Sequence, residues 1–263
     1  MRVRSLASGS KGNCLAVRGG GVLLLIDCGI SCREISRRMA QCGASPDDVD
    51  GVLLTHDHSD HCAGLATFHR RHPRAALYAN GNTADAIASI TGVEDGWSVF
   101  ETAEPFEVGG LRVTSFSVPH DAADPVGYLI EEGGTSLFVG TDMGIMTVAA
   151  KEALSRATCA VLEANHDPEL LQTSDRPVSL KQRIAGRCGH LSNCQAADAL
   201  REASPAGLRF LLLAHLSQQC NADYLAREAV GRALADIGLS GVVLEALPQD
   251  EPGPLVDLDA GRP

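Results

Sequence analysis

The heptapeptide Thr55-His56-Asp57-His58-Ser59-Asp60-His61 sets three imidazoles and two carboxylates in six positions, directly behind an apolar run. Imidazole nitrogen and carboxylate oxygen are the donors that divalent transition metals take. His56 and His58 alternate, so on an extended chain they point to one side. Asp60 and His61 follow on a turn. One pair suits one metal and the other pair a second. The competing reading is a polar turn that happens to be rich in histidine.

Four donors from one loop do not complete two sites. Three more stand directly behind apolar runs: His120 after 111–118, Asp142 after 136–139 and His215 after 208–213. A single such residue is usually a turn residue; three beside the His cluster form a constellation. The donor types suit zinc, manganese or iron alike. His190 stands before a helix, where Ser192 or Asn193 could cap. His166 follows the apolar run 159–163 and is either a further active-site imidazole or a surface residue at a loop start. The small, Gly-rich stretch with Ser8, Gly9, Ser10 and Asn13 could cradle an anion on its backbone N–H groups, or be a hairpin turn. Lys181 and Arg183 either supply positive charge near His190 or belong to a solvated helix face.

The elements that must carry these residues are legible in the period of the apolar positions. Strands are expected at 2–6, 14–18, 22–27, 49–55, 75–79, 111–118, 126–131, 136–140, 159–163, 208–213 and 242–247. Helices are expected at 31–41, 63–72, 82–90, 146–157, 180–184, 193–203 and 224–237. Strands precede helices in each half, which suggests an α/β fold of two sheets with helices outside, a four-layer αββα sandwich. Composition alone does not choose it over other α/β folds. Residues 1–247 read as one domain, and 248–263 as an acidic, Pro/Gly-rich tail holding one edge strand or none.

Composition narrows the function classes. No run of about 18 apolar residues appears, so no spanning helix is expected. The first residues lack the apolar core of a signal peptide, so a cytoplasmic protein is expected. Nine cysteines, an odd count without a C-x-x-C pair, argue against a disulfide framework and a zinc ribbon. Cys62 and Cys220 read as neighbours of metal ligands and not as ligands. A formal charge of −11 counts against broad electrostatic binding of nucleic acid. It leaves room for an enzyme that holds a phosphodiester through metals and a few local cations.

The segment THDHSDH resembles the HxHxDH signature of the metallo-β-lactamase-fold hydrolases, and His120, Asp142 and His215 follow in the order of that superfamily's later metal motifs. The pieces LASGSKGNC, LLIDCGIS, VPHDAADPVGY, TDMG, LEANHD, SLKQRI, GHLSN and LLLAHLSQQCN extend the resemblance over nearly the whole chain. They are most similar to the WalJ/YycJ-type branch, related to ribonuclease Z and the phosphonate-pathway phosphodiesterases. The resemblance implies two divalent ions, zinc, manganese or iron. His56, His58 and His120 would hold one; Asp60, His61 and His215 would hold the other; Asp142 would bridge them. Two ions about 4 Å apart can share a hydroxide and clamp phosphoryl oxygens. Asp60 could also receive the water's proton, with Thr55 and Asp57 orienting the imidazoles. The resemblance makes His190 the imidazole that contacts phosphate and protonates the leaving alkoxide. It draws His166 toward a catalytic role, and Ser8, Gly9, Ser10, Asn13, Asn165 and Lys181 toward substrate.

The implied activity is phosphodiester hydrolysis by a nuclease, of the 5′→3′ DNA exonuclease type. A small cyclic or nucleotide phosphodiesterase, a glyoxalase II-like thioester or lactone hydrolase, and a non-enzymatic metal-binding regulatory protein are the alternatives. The substrate partner is nucleic acid or nucleotide, no membrane is implied, and the oligomeric state is left open.

Overall fold

The computed structural model describes residues 1–260. Fourteen strands are described, in two sheets of seven. The first sheet holds β1 (Arg2–Ala7), β2 (Cys14–Gly19), β3 (Val22–Ile26), β4 (Gly51–Leu53), β5 (Ala76–Asn80) and β6 (Trp97–Phe100) side by side in that order. The second holds β7 (Phe106–Val108), β8 (Leu111–Ser117), β9 (Val126–Glu132), β10 (Thr135–Gly140), β11 (Cys159–Glu163), β12 (Phe210–Ala214) and β13 (Val243–Ala246), again in sequence. The last strand, β14 (Val256–Asp257), returns to pair with β1.

Each sheet is half antiparallel and half parallel. The ladders of β1–β3 are antiparallel, and those from β3 to β6 parallel. Likewise β9 and β10 are antiparallel, and β10 to β13 parallel. The parallel strands β10 and β11 are buried at every position, which is why they read as unbroken apolar runs without alternation. Helices join the parallel strands, and local residues fix their ends. Ser31, Asn80, Thr147 and Ser192 each cap a helix start, Ser192 within a capping box closed by Gln195. Thr147 as cap explains why the helix expected over 146–157 runs Val148–Ser155.

The contacts divide the chain into two compact units, Met1–Thr114 with Ala122–Pro125 and the segment from Pro248, and Ser115–Asp121 with Val126–Leu247. Each has its own apolar core. One gathers Leu25, Ile35, Leu54, Leu65, Phe68 and Leu77; the other gathers Phe138, Leu162, Leu200, Leu213 and Val230. The sequence pattern suggests 1–247 as one domain with 248–263 apart. In the structure β14 pairs with β1, and Gly253 N–H donates to the Ser5 carbonyl. Residues 261–263 of that tail lie outside the described residues. The apolar period does not predict the strands β6 and β7 or the helix Pro168–Thr173.

The two parallel halves decide where chemistry can sit. In open α/β sheets the loops beyond the carboxyl ends of parallel strands are the places where polar side chains converge. Asp27 follows β3, His56 to His61 follow β4, Asp142 follows β10, Glu163 ends β11 and His215 follows β12.

Candidate metal centre

In the first unit the strand β4 stops at Leu53, two residues earlier than expected, because Asp27 captures Thr55. The Asp27 Oδ1 accepts from the Thr55 backbone N–H (2.9 Å), and both carboxylate oxygens receive the Thr55 hydroxyl (3.0 and 2.9 Å). Asp27 Oδ2 also takes His61 Nδ1–H at 2.7 Å. The Thr55 oxygen in turn accepts from His56 Nδ1 at 3.0 Å. Both imidazoles thus carry their ring proton on Nδ1 and present Nε2 as the lone-pair nitrogen. This is the arrangement by which second partners orient metal-binding histidines. The rings of His56, His58 and His61 stand close, with centroids 4.7 Å (His56–His58) and 4.0 Å (His56–His61) apart. His61 Nε2 lies 3.7 Å from Asp60 Oδ2.

Backbone bonds clamp this loop from two sides. The Asp60 carbonyl accepts from Asn13 N–H, and the His61 carbonyl from Cys28 N–H, both at 2.7 Å. Gly29 makes the close approach possible: a Cβ there would stand 1.7 Å from the Asp60 carbonyl oxygen. Asp57 does not touch an imidazole; its Oδ1 accepts from Ala123 N–H at 2.9 Å. Cys62 donates to the Asp57 carbonyl, and burial pushes its thiol up to about 12.

The second unit builds its donors around Glu163, which is fully buried. Glu163 Oε1 accepts the Nδ1–H groups of both His190 and His215 at 2.9 Å, while Oε2 accepts the backbone N–H groups of Met143 (2.9 Å) and Leu191 (3.0 Å). Asp142 Oδ1 stands 3.3 Å from the Nδ1 atoms of both rings and 3.8 Å from His120 Nε2. His120 donates Nδ1–H to the Gly189 carbonyl at 3.0 Å. Gly189 is packed so tightly that a Cβ would meet the Arg183 and Ile184 carbonyl oxygens at 2.2 Å. One ligand atom from each of Asp142, Glu163, His190 and His215 lies within 4.8 Å of the others. The donors of each unit suit a divalent ion: His56 and His61 in the first, and His120 and His215 in the second, each have Nδ1 held by a protein acceptor.

The electrostatics of the Glu163 pair follow from this geometry. Burial disfavours the charged ring of His190, but the Glu163 and Asp142 carboxylates outweigh it and raise its pKa to about 10. Burial likewise disfavours the Glu163 carboxylate, yet His190 and the hydrogen bonds from both imidazoles bring it down to about 2. Backbone strain concentrates here as well. Asp27, Asp142 and His215 adopt left-handed conformations (φ 61°, 56° and 57°), three of the five non-glycine residues with positive φ among those described.

The remaining residues singled out in the sequence have other neighbours. His166 is buried, its Nδ1 has no hydrogen-bond partner among the described residues, and burial lowers its pKa to about 4 against the pull of Glu163. Asn165 Nδ2 donates to the His215 carbonyl at 2.8 Å and so ties down the turn after β12. Lys181 Nζ donates to the Gln172 and Ser174 carbonyls (2.7 and 2.6 Å), and Arg183 Nε to Asp121 (2.6 Å). In the Gly-rich loop the amides are engaged within the protein: Ser8 N–H by the Pro248 carbonyl, Gly9 N–H by Asn13 Oδ1, Lys11 N–H by Gln249 Oε1. Ser10 is exposed. Asn13 Nδ2 lies 3.0 Å from His61 Nε2, which makes Asn13 a neighbour of the metal loop. Around Ser8, Gly9 and Asn13, expected as an anion cradle, and Asn165 and Lys181, expected to contact substrate, the structure shows these internal bonds.

Two acidic residues that organise the centre, Asp27 and Glu163, escape the sequence reading. Their signal is present, since each is an acid at the end of an apolar strand.

Comparison with known proteins is decisive for the family. The model of the β-lactamase superfamily domain matches residues 23–216. The chain belongs to this superfamily. It is 35% identical over 235 residues to the exodeoxyribonuclease YycJ of Bacillus anthracis, covering 89% of each chain. To the exodeoxyribonuclease WalJ of Streptococcus pneumoniae it is 33% identical over 238 residues, covering 89% of this chain and 88% of the other. Among solved structures the metallo-β-lactamase fold protein YhfI of Bacillus subtilis superposes with a TM-score of 0.70 at 16% identity, covering 97% of this chain and 99% of that one, which bears on the fold. No helix among the described residues is long and apolar enough to cross a membrane.

Proposed function

We propose that this superfamily member is a metal-dependent phosphodiester hydrolase, a nuclease acting on DNA as a 5′→3′ exonuclease in the cytoplasm. The names of its relatives YycJ and WalJ support the substrate class. Its ligands are those implied by the family pattern: His56, His58 and His120 for one divalent ion, Asp60, His61 and His215 for a second, with Asp142 shared. When bound, such ions lower the pKa of water and neutralise phosphoryl oxygens.

The protein's own groups supply the rest. Asp27 and Glu163 hold the imidazoles in one tautomer and one orientation. The family pattern gives Asp60 the further role of taking a proton from the attacking water. The observation that carries the phosphodiester reading is the Glu163–His190 pair: the carboxylate fixes Nδ1–H at 2.9 Å and favours the doubly protonated ring, whose Nε2–H can serve an alkoxide leaving group. A thiolate leaves readily and needs no such acid.

His190→Ala tests this. Turnover on an unactivated phosphodiester falls by roughly a hundred- to ten-thousand-fold. Turnover on a nitrophenyl phosphodiester, whose leaving group needs little protonation, falls much less. Equal losses on both would make His190 a positioning group. A thioester cleaved well beside inert DNA, RNA and nitrophenyl substrates would overturn the phosphodiester reading.

A further inference from the structure

We propose that the first unit carries a second anion site, remote from the metal loop, which takes a phosphoryl group borne by a mononucleotide or a nucleic-acid strand. The site lies on one face of the β1–β2–β3 ladder. Arg2 and Arg18 stand directly opposite each other across the antiparallel pair, and Arg4 lies two residues on, opposite Ala16. Period-two alternation therefore puts all three guanidinium groups on one face, with Val3 and Val17 buried on the other. They line a cavity of about 230 Å³ together with Leu23, Cys42 and Leu255, and no acidic side chain lines it.

Like charges directly opposite on paired strands destabilise a sheet unless a counter-charge lies between them. The protein compensates only in part. Arg2 Nε donates to Asp257 Oδ2 and Arg4 Nε to the Gly253 carbonyl, both at 2.9 Å. These bonds fix the two guanidinium groups through Nε alone, and their terminal amino groups have no acceptor among the described residues. Arg18 has no hydrogen bond or ion pair among the described residues. In a chain of net charge −11, three arginines oriented into one cavity form a local positive field.

The guanidinium fork matches phosphate in two-point geometry, and three positive charges suit a phosphomonoester dianion better than a single carboxylate. Leu23 and Leu255 offer an apolar surface beside the charge, for a sugar or base. The volume is below the roughly 300–1,000 Å³ of sites for larger ligands. The site is also separate from the metal loop. Arg2 and Ala7 are the two ends of β1, about 16 Å apart at the usual strand rise, and it is the Ala7 end that leads into the loop clamped on Asp60.

Cys42 provides a readout independent of activity. The metal-loaded protein is alkylated with iodoacetamide, and the rate at each cysteine is followed by peptide mass spectrometry. The exposed Cys188 and Cys194 serve as internal references. Inorganic phosphate, dAMP and a 5′-phosphorylated oligonucleotide with hydrolysis-resistant phosphorothioate linkages are titrated in turn. Saturable slowing at Cys42, absent at the references, is expected. Arg18→Ala should raise the half-saturating concentration about tenfold, and Arg18→Lys should restore part of it. Neither change should alter nitrophenyl phosphodiester hydrolysis without added ligand. Protection by dAMP alone assigns the site to a mononucleotide, and protection by the oligonucleotide alone assigns it to a strand. Titration calorimetry of the same probes on wild type and Arg18→Ala gives a second reading. No slowing with any probe, or slowing and binding heats unchanged by Arg18→Ala, would overturn the proposal.

Discussion

Asp27→Asn separates a residue that holds the metal centre from one that binds the ion. Asparagine has nearly the same shape and tolerates the left-handed backbone that Asp27 adopts at φ 61°, so the chain path should survive. Its amide oxygen can still accept from Thr55 N–H. Its amide nitrogen, however, must face His61 Nδ1, where a carboxylate oxygen now stands at 2.7 Å. Two donors cannot bond, so His61 must either lose its anchor or move its proton to Nε2, the nitrogen the metal needs. Losing one charge-assisted bond in a site that is 3% exposed costs about 1.5–3 kcal/mol. At about 2–4 °C per kcal/mol for a chain of this size, the melting temperature in chelator should fall by about 3–12 °C. Metal affinity at the His61 position should fall about ten- to a hundred-fold, the usual effect of removing a second partner of a ligand. Competition against a chromogenic chelator measures the affinity, and circular dichroism the melt. Wild-type metal stoichiometry and affinity in a folded Asp27→Asn protein would refute the claim that Asp27 sets the tautomer.

Glu163→Gln leaves one neutral acceptor for two imidazoles and should lower turnover on unactivated DNA by about ten- to a hundred-fold, read from initial rates at saturating metal. Asp142→Ala should remove at least one metal equivalent by elemental analysis, if this carboxylate serves both ions. Chelator-treated protein should show a pH signature of the Glu163–His190 pair. His190 has a folded pKa of about 10 against 6.5, so its contribution is complete below 6.5 and lost as pH rises through 10. Glu163 has about 2 against 4.5, so its contribution is complete above 4.5 and lost as pH falls through 2. Denaturant midpoints should therefore peak between pH 4.5 and 6.5 and decline toward pH 10, and Glu163→Gln should flatten that decline. His166, held near 4 by burial, is neutral above pH 5, so His166→Gln should leave the shape of the pH–rate profile unchanged between pH 5 and 8.

The donors were legible because strand ends in a parallel sheet leave a mark in one dimension. Apolar runs such as 208–213 stop abruptly at a histidine, and the sheet then brings such stops to its carboxyl edge. What a donor does there was not legible. Asp27, Asp142 and Glu163 all satisfy the same description, an acid behind a buried strand. Only the hydrogen bonds distinguish them. Asp27 reaches residues 28 and 34 positions away, and Glu163 reaches residues 27 and 52 positions away. Pairings at such separations are set by sheet order, which no local pattern encodes. The Gly-rich loop shows how the fold adds to a local pattern. Its composition offers backbone N–H groups to an anion, but Asn13, Pro248 and Gln249 accept them, two of the three from the far end of the chain. A local motif thus indicates which groups are available, while the fold decides whether the protein itself uses them first. By that criterion the arginines of β1 and β2 have the stronger claim to an anion: their terminal amino groups remain without an acceptor among the described residues.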